Sequence, residues 1–129
     1  MTHPMKAYQR VRITTASPAE LVIMLCEGLV RFTAGAAEAL EEGDLPTASR
    51  NFSRAAEIVG HLRESLNEEV APDLVNALDR TYELWSLCLV RAQINRDATR
   101  ARTLLPQMED LLSSWRAVAK QDPTLAAAS

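Results

Sequence analysis

Four stretches of this chain carry apolar residues at alternating three- and four-residue spacing, and each is bounded by residues that start or stop helices. That repeat is the period of an α-helix with one buried face. Runs of about 22 to 25 residues would form helices roughly 33 to 38 Å long at 1.5 Å per residue. Four rods of matched length joined by short breaks pack most economically as an antiparallel up-down bundle. The expected class is therefore all-α, a four-helix bundle.

The first helix has the clearest start. Ser17 can cap it, Pro18 suits its first position, and Glu20 completes an S-x-x-E capping box. Leu21, Met24, Leu25, Gly28, Phe32, Gly35 or Ala36, and Ala39 then form its apolar stripe, and Gly43 stops it. Asp44 can cap a second helix, with Pro46 tolerated in the first turn and Ala48, Phe52, Ala55, Val59, Leu62 and Leu66 on one stripe up to about Asn67. Pro72 opens a third helix carrying Leu74, Leu78, Thr81 or Tyr82, Trp85, Leu89 and Ala92, which "INRD" closes. Asp97 can cap a fourth with Ala101, Leu104, Leu105, Met108, Leu111, Leu112, Trp115 and Val118. Pro106 lies inside that helix, where it should cost about 3 kcal/mol and bend the axis between Arg102 and Pro106. The bundle is expected over residues 17–120. Residues 1–16 form a short N-terminal lid or tail segment and 121–129 a C-terminal tail; neither keeps a period, so both are expected to be mobile unless docked.

Composition narrows the function. The 129 residues suffice for one core without a staple. A net charge of −3 with no basic block argues against a nucleic-acid partner. Glu20, Glu27 and Arg31 interrupt the apolar run of the first helix, which argues against membrane insertion, and "MTHPMKAYQRVR" lacks the apolar segment of a secretory signal. A cytoplasmic location is expected. Cys26 and Cys88 sit inside helical patterns and read as reduced core residues.

Chemistry is sparse. Glu57, His61 and Glu64 share a helical face and could in principle ligate a metal, but the paired Glu-x-x-His motifs of a di-metal bundle do not occur. A solvated polar face is the simpler reading. Neither a phosphate-binding glycine loop nor a recognisable nucleophile–histidine spacing is present. The "LEEGDLPTASRNFSRAAEIV" segment has the small and aromatic spacing of half a tetratricopeptide repeat, but the pattern does not recur about 34 residues on. The chain reads as a non-enzyme without a cofactor.

What it does have is surplus apolar surface. A bundle helix buries about three positions in seven. Beyond its stripe the first helix adds Val22, Ile23, Leu29, Val30 and Leu40, and the third adds Val75, Leu84, Leu87, Val90 and Ile94. Either the core stripes are wide, or the flanks bind a partner helix in a groove.

The segments "MKAYQRV", "TASPAELVIMLCEGLVRF", "EEGD", "AAEIVGHLRESLN", "LVRAQINRD" and "LLPQMEDLLSSW", in this order from Met5 to Trp115, resemble the flagellin-specific export chaperone family of bacterial flagella, FliS. Departures from the family pattern are Cys26 where an aromatic is common, "EEVAPD" where paired glycines are common, Gln93 in place of Asn, and Pro106. The resemblance implies a cytoplasmic bundle that holds the disordered C-terminal segment of flagellin in hydrophobic grooves. It thereby prevents premature polymerisation and keeps the client competent for type III export. It also implies that the N-terminal segment, through Met5 and Tyr8, folds over one groove until the client displaces it. The residues assigned to client contact are Met5, Tyr8, Val22, Leu25, Leu29, Val75, Leu78, Tyr82 and Leu89, with Val22 and Leu29 facing the client from the flanks. Further partners would be other flagellar export or regulatory proteins, and the free chain is expected to be a monomer or weak homodimer. A helical-bundle adaptor for a different secretion or regulatory client is the alternative.

Overall fold

The computed structural model describes residues 18–66 and 72–121. They form four α-helices, α1 (Pro18–Glu42), α2 (Leu45–Glu64), α3 (Pro72–Asn95) and α4 (Ala98–Gln121), and no strand occurs among the described residues. The all-α expectation holds. Helix α1 packs along α2 and α4, and α3 closes the ring against the same two helices, most thinly against α4.

Ion pairs record the antiparallel register. Arg102 on α4 holds Glu41 on α1 through two bonds of 2.7 and 2.6 Å. Fourteen residues further along α4, Arg116 reaches Glu27, fourteen residues back along α1, at 2.8 Å. Arg63 on α2 grips Asp79 on α3 at 2.9 and 3.3 Å. All are solvent-exposed and contribute little stability individually; Arg102 nevertheless holds the Glu41 carboxyl below its ordinary range through the hydrogen bond.

The two tight turns at one end of the bundle use the same device. After α1, Gly43 takes a left-handed φ of 78° while Asp44 N donates to Ala39 O at 2.8 Å, and Asp44 Oδ1 then caps α2 by accepting from Thr47 N at 3.2 Å. After α3, Arg96 takes a φ of 50°, Asp97 N donates to Ala92 O at 2.8 Å, and Asp97 Oδ1 accepts from Arg100 N at 2.9 Å. Both aspartates are the caps read from the sequence. Ser17, the cap assigned to α1, lies outside the described residues.

One detail differs from expectation and one agrees with it. Helix α2 ends at Glu64 rather than near Asn67, because Ser65 turns its hydroxyl onto Leu62 O at 2.8 Å and competes with the backbone ladder. Helix α4 runs through Pro106 from Ala98 to Gln121. Arg102 and Pro106 are both exposed, so the bond that Pro106 cannot donate to the Arg102 carbonyl is lost on the solvent side of the helix.

The core changes character along the bundle. Near the tight turns it is built of alanines, Ala36, Ala37, Ala39, Ala48, Ala92 and Ala101, all buried. Small side chains let the backbones approach: a Cβ on Gly35 would stand 2.9 Å from Asn51 Nδ2 of α2. Further along, Leu29, Phe52, Val59, Leu62, Tyr82, Trp85, Leu89 and Met108 fill a wider space.

Candidate partner-binding surface

Helix α1 is rotated relative to the stripe read from its sequence. Its inward line runs through Cys26, Leu29, Ala36 and Ala37, with Val22 and Leu40 on the same side, roughly a third of a turn from the line through Leu21, Gly28 and Phe32. Those latter residues lie toward α2 instead, where a Cβ on Gly28 would come within 3.0 Å of Ile58 Cδ1. Leu29 is therefore not a flank facing a client. Its exposure is 0%, at the centre of the core. Val22, seven residues earlier and on the same face, is only half-buried because it lies near the start of the helix.

On α3 the same correction applies to Tyr82 and Leu89, which are buried core residues, and Val75 is nearly so. The Tyr82 and Trp85 rings meet edge to face with centroids 5.7 Å apart, and Trp85 Nε1 donates to Gln107 Oε1 of α4 at 2.9 Å. Burial pushes the Tyr82 phenol above its ordinary value, so it stays protonated. Side chains held in this way belong to the bundle and cannot be reached by a partner.

Among the assigned residues, Val22, Leu25 and Leu78 remain accessible, each half-buried against the core. Ile23, Leu66, Leu111 and Trp115 share that state. In an antiparallel bundle all seven fall toward the end where α1 and α3 begin and α2 and α4 finish, opposite the alanine-packed turns. This is a rim of large apolar groups anchored below and wet above. Met5 and Tyr8 lie outside the described residues.

A second apolar surface lies on α3, formed by the surplus residues of its sequence that take no part in the core. Leu84, Leu87, Val90 and Ile94 on α3 are 60%, 46%, 50% and 73% exposed. Their spacing puts them on the side of α3 opposite Leu78, Trp85 and Leu89. Helix α3 is thus apolar on two faces, and only one is covered.

Reactive chemistry does not assemble on either surface. Burial and the neighbouring Glu27 push the Cys26 thiol up to about 11, leaving it unreactive near neutrality. His61 and Glu64 approach to 3.8 Å on the exposed side of α2, and no group of three or more His, Cys, Asp or Glu among the described residues is arranged to hold a metal. No helix among the described residues is long and apolar enough to cross a membrane.

Comparison with known proteins gives this arrangement a context. The family model described as flagellar protein FliS matches residues 1–122. The chain belongs to the FliS family. A flagellar secretion chaperone FliS of Bacillus subtilis is 29% identical over 114 residues, spanning 88% of this chain and 84% of the relative. A flagellar secretion chaperone FliSB of Pseudomonas aeruginosa is 30% identical over 115 residues, 86% of this chain and 91% of the relative. The FliS of Vibrio cholerae is 24% identical over 132 residues, 99% and 97% of the two chains. By the names these relatives carry, FliS proteins are secretion chaperones and not enzymes.

Proposed function

We propose that this FliS-family chain is a cytoplasmic export chaperone for flagellin, binding the client's disordered C-terminal segment so that it neither polymerises early nor folds before type III export. Membership of the FliS family, over residues 1–122, is the observation that carries the reading. The half-buried rim formed by Val22, Leu25, Leu78 and Trp115 supplies a physical basis for it. Each of these side chains is fixed from below by the core, so it loses little rotamer freedom when a client covers it. Each still exposes area to water that a client helix would remove, at about 25 cal/mol per Å². A disordered client loses conformational entropy on docking, which keeps the complex reversible enough for hand-over.

In this reading Met5 and Tyr8 occupy the rim when no client is present. Calorimetric titration of a peptide from the C-terminus of the cognate flagellin should give a saturable 1:1 complex; absence of heat with both partners at about 50 μM would overturn the proposal. Removal of Met1 to Val11 should raise the affinity by uncovering the rim, and unchanged affinity would remove the lid from the account.

A further inference from the structure

We propose that the outer face of α3 lies on the surface of an anionic lipid bilayer, with its aliphatic side chains sunk at the acyl boundary and Arg80 and Arg91 on lipid phosphates. The inference concerns α3 alone and holds whatever the client is. Arg80, Leu84, Leu87, Arg91 and Ile94 follow one another at steps of four, three, four and three residues, which sets them on a single line about 21 Å long down the helix. All five are exposed, and Val90 flanks the line at 50% exposure.

The charges show which occupant fits. No acid stands on this line between Arg80 and Ile94. Neither arginine has an ion pair or hydrogen bond among the described residues, so both guanidinium groups are available to phosphate oxygens. Glu83, the acid beside the line, is offset from α2: the Arg63 guanidinium, held above its ordinary value first by its hydrogen bond to Asp79, is also attracted by Glu83. In a chain of net charge −3 this edge is therefore a cationic strip. Shape points the same way. The aliphatic residues stand on the crest of one helix, turned away from α2 and α4, and a partner helix laid along that crest would find no second wall. A bilayer needs none, because a helix with apolar and basic residues on one face lies in the plane of the interface while the arginine stems reach up to the headgroups. No helix among the described residues can cross a membrane, so the contact is peripheral. With four partly exposed aliphatic side chains and two arginines it is also weak and reversible.

Co-sedimentation of the full chain with vesicles of equal parts phosphatidylglycerol and phosphatidylcholine tests this. Half of the protein should be bound at about 1 mM lipid, and vesicles of phosphatidylcholine alone should bind at least about tenfold more weakly. Raising the salt from about 0.05 M to about 0.5 M should release most of it. Arg80→Ala and Arg91→Ala should each weaken binding about fivefold, while Arg54→Ala, which removes the same charge from the exposed side of α2, should stay within about twofold of wild type. Leu87→Glu, with unchanged helical circular dichroism, should abolish binding. The arginine variants decide the matter by themselves if Leu87→Glu fails to fold, since both side chains are exposed and unpaired among the described residues. No binding at about 5 mM lipid, equal losses in Arg54→Ala and Arg91→Ala, or full binding by both Arg80→Ala and Arg91→Ala would overturn the proposal. So would a wild type that ignores the vesicles while Arg91→Ala weakens the flagellin peptide, which would make this face a client surface.

Discussion

Helices α1 and α3 are nearly equal in length and both carry more apolar residues than a bundle helix needs, yet they use the excess in opposite ways. On α1 every surplus residue is drawn into the packing: Leu29 is wholly buried, and Val22, Ile23, Val30 and Leu40 lie half-buried against the core. On α3 four of five stay in water. The difference follows from neighbours. Helix α1 packs closely against α2 on one side and α4 on the other, so a wide arc of its surface is covered, while α3 touches the same two helices more thinly and leaves its outer face open. An apolar count therefore measures how much surface a helix could bury, and only its neighbours decide how much it does bury.

The sharpest test of that contrast places a charge at matched positions. Leu29→Glu puts a carboxylate into the centre of the core and should cost more than about 4 kcal/mol, enough to abolish the cooperative thermal transition. Leu84→Glu should stay within about 0.5 kcal/mol of wild type in the same measurement. Equal effects would erase the distinction between the helices.

A smaller effect concerns Thr33, the buried polar residue on the inner side of α1, whose hydroxyl has no hydrogen-bond partner. Thr33→Val keeps the shape and removes the orphaned group, so urea unfolding should show a gain of about 1 kcal/mol. A loss would mean that the hydroxyl is satisfied in solution.

The helix ends carry the same contrast. Both helices finish in a left-handed residue followed by an aspartate cap, but α1 uses Gly43 and α3 uses Arg96. A side chain at that φ costs about 1 kcal/mol, so Arg96→Gly should stabilise by that order, and Gly43→Arg should destabilise similarly.

The cysteines give the subtlest comparison. Cys26 on α1 is buried and Cys88 on α3 is half-exposed. Iodoacetamide should label Cys88 in the native protein and spare Cys26. The raised value of Cys26 also sets a pH dependence. In the unfolded chain a thiol ionises near its ordinary value of 9.0, while the folded one holds its proton to about 11. Stability from this group is therefore intact below about pH 9 and is lost as pH rises toward 11. Cys26→Ala should flatten the alkaline slope.

Much of the architecture was legible in the sequence because caps and periods are local. Asp44, Gly43, Pro72 and Asp97 mark boundaries that the structure keeps to within a residue or two. The face of α1 was not legible, since every position from Leu21 to Leu25 is apolar and a period of 3.6 cannot choose among adjacent stripes when all are filled. Leu29, Tyr82 and Leu89 were misplaced for the same reason: apolar type alone does not separate a core position from a groove. Leu84, Leu87, Val90 and Ile94 were visible as excess, but their exposure depends on helices that are distant in sequence.

In the proposed function the half-buried rim at the start of α1 takes the client and the exposed outer face of α3 does not. Calorimetric titration of the flagellin C-terminal peptide into Val22→Glu and Leu87→Glu, both checked for intact helical signal, measures that division directly. The expected result is loss of binding in the first and wild-type binding in the second. Retention in Val22→Glu with loss in Leu87→Glu would contradict it.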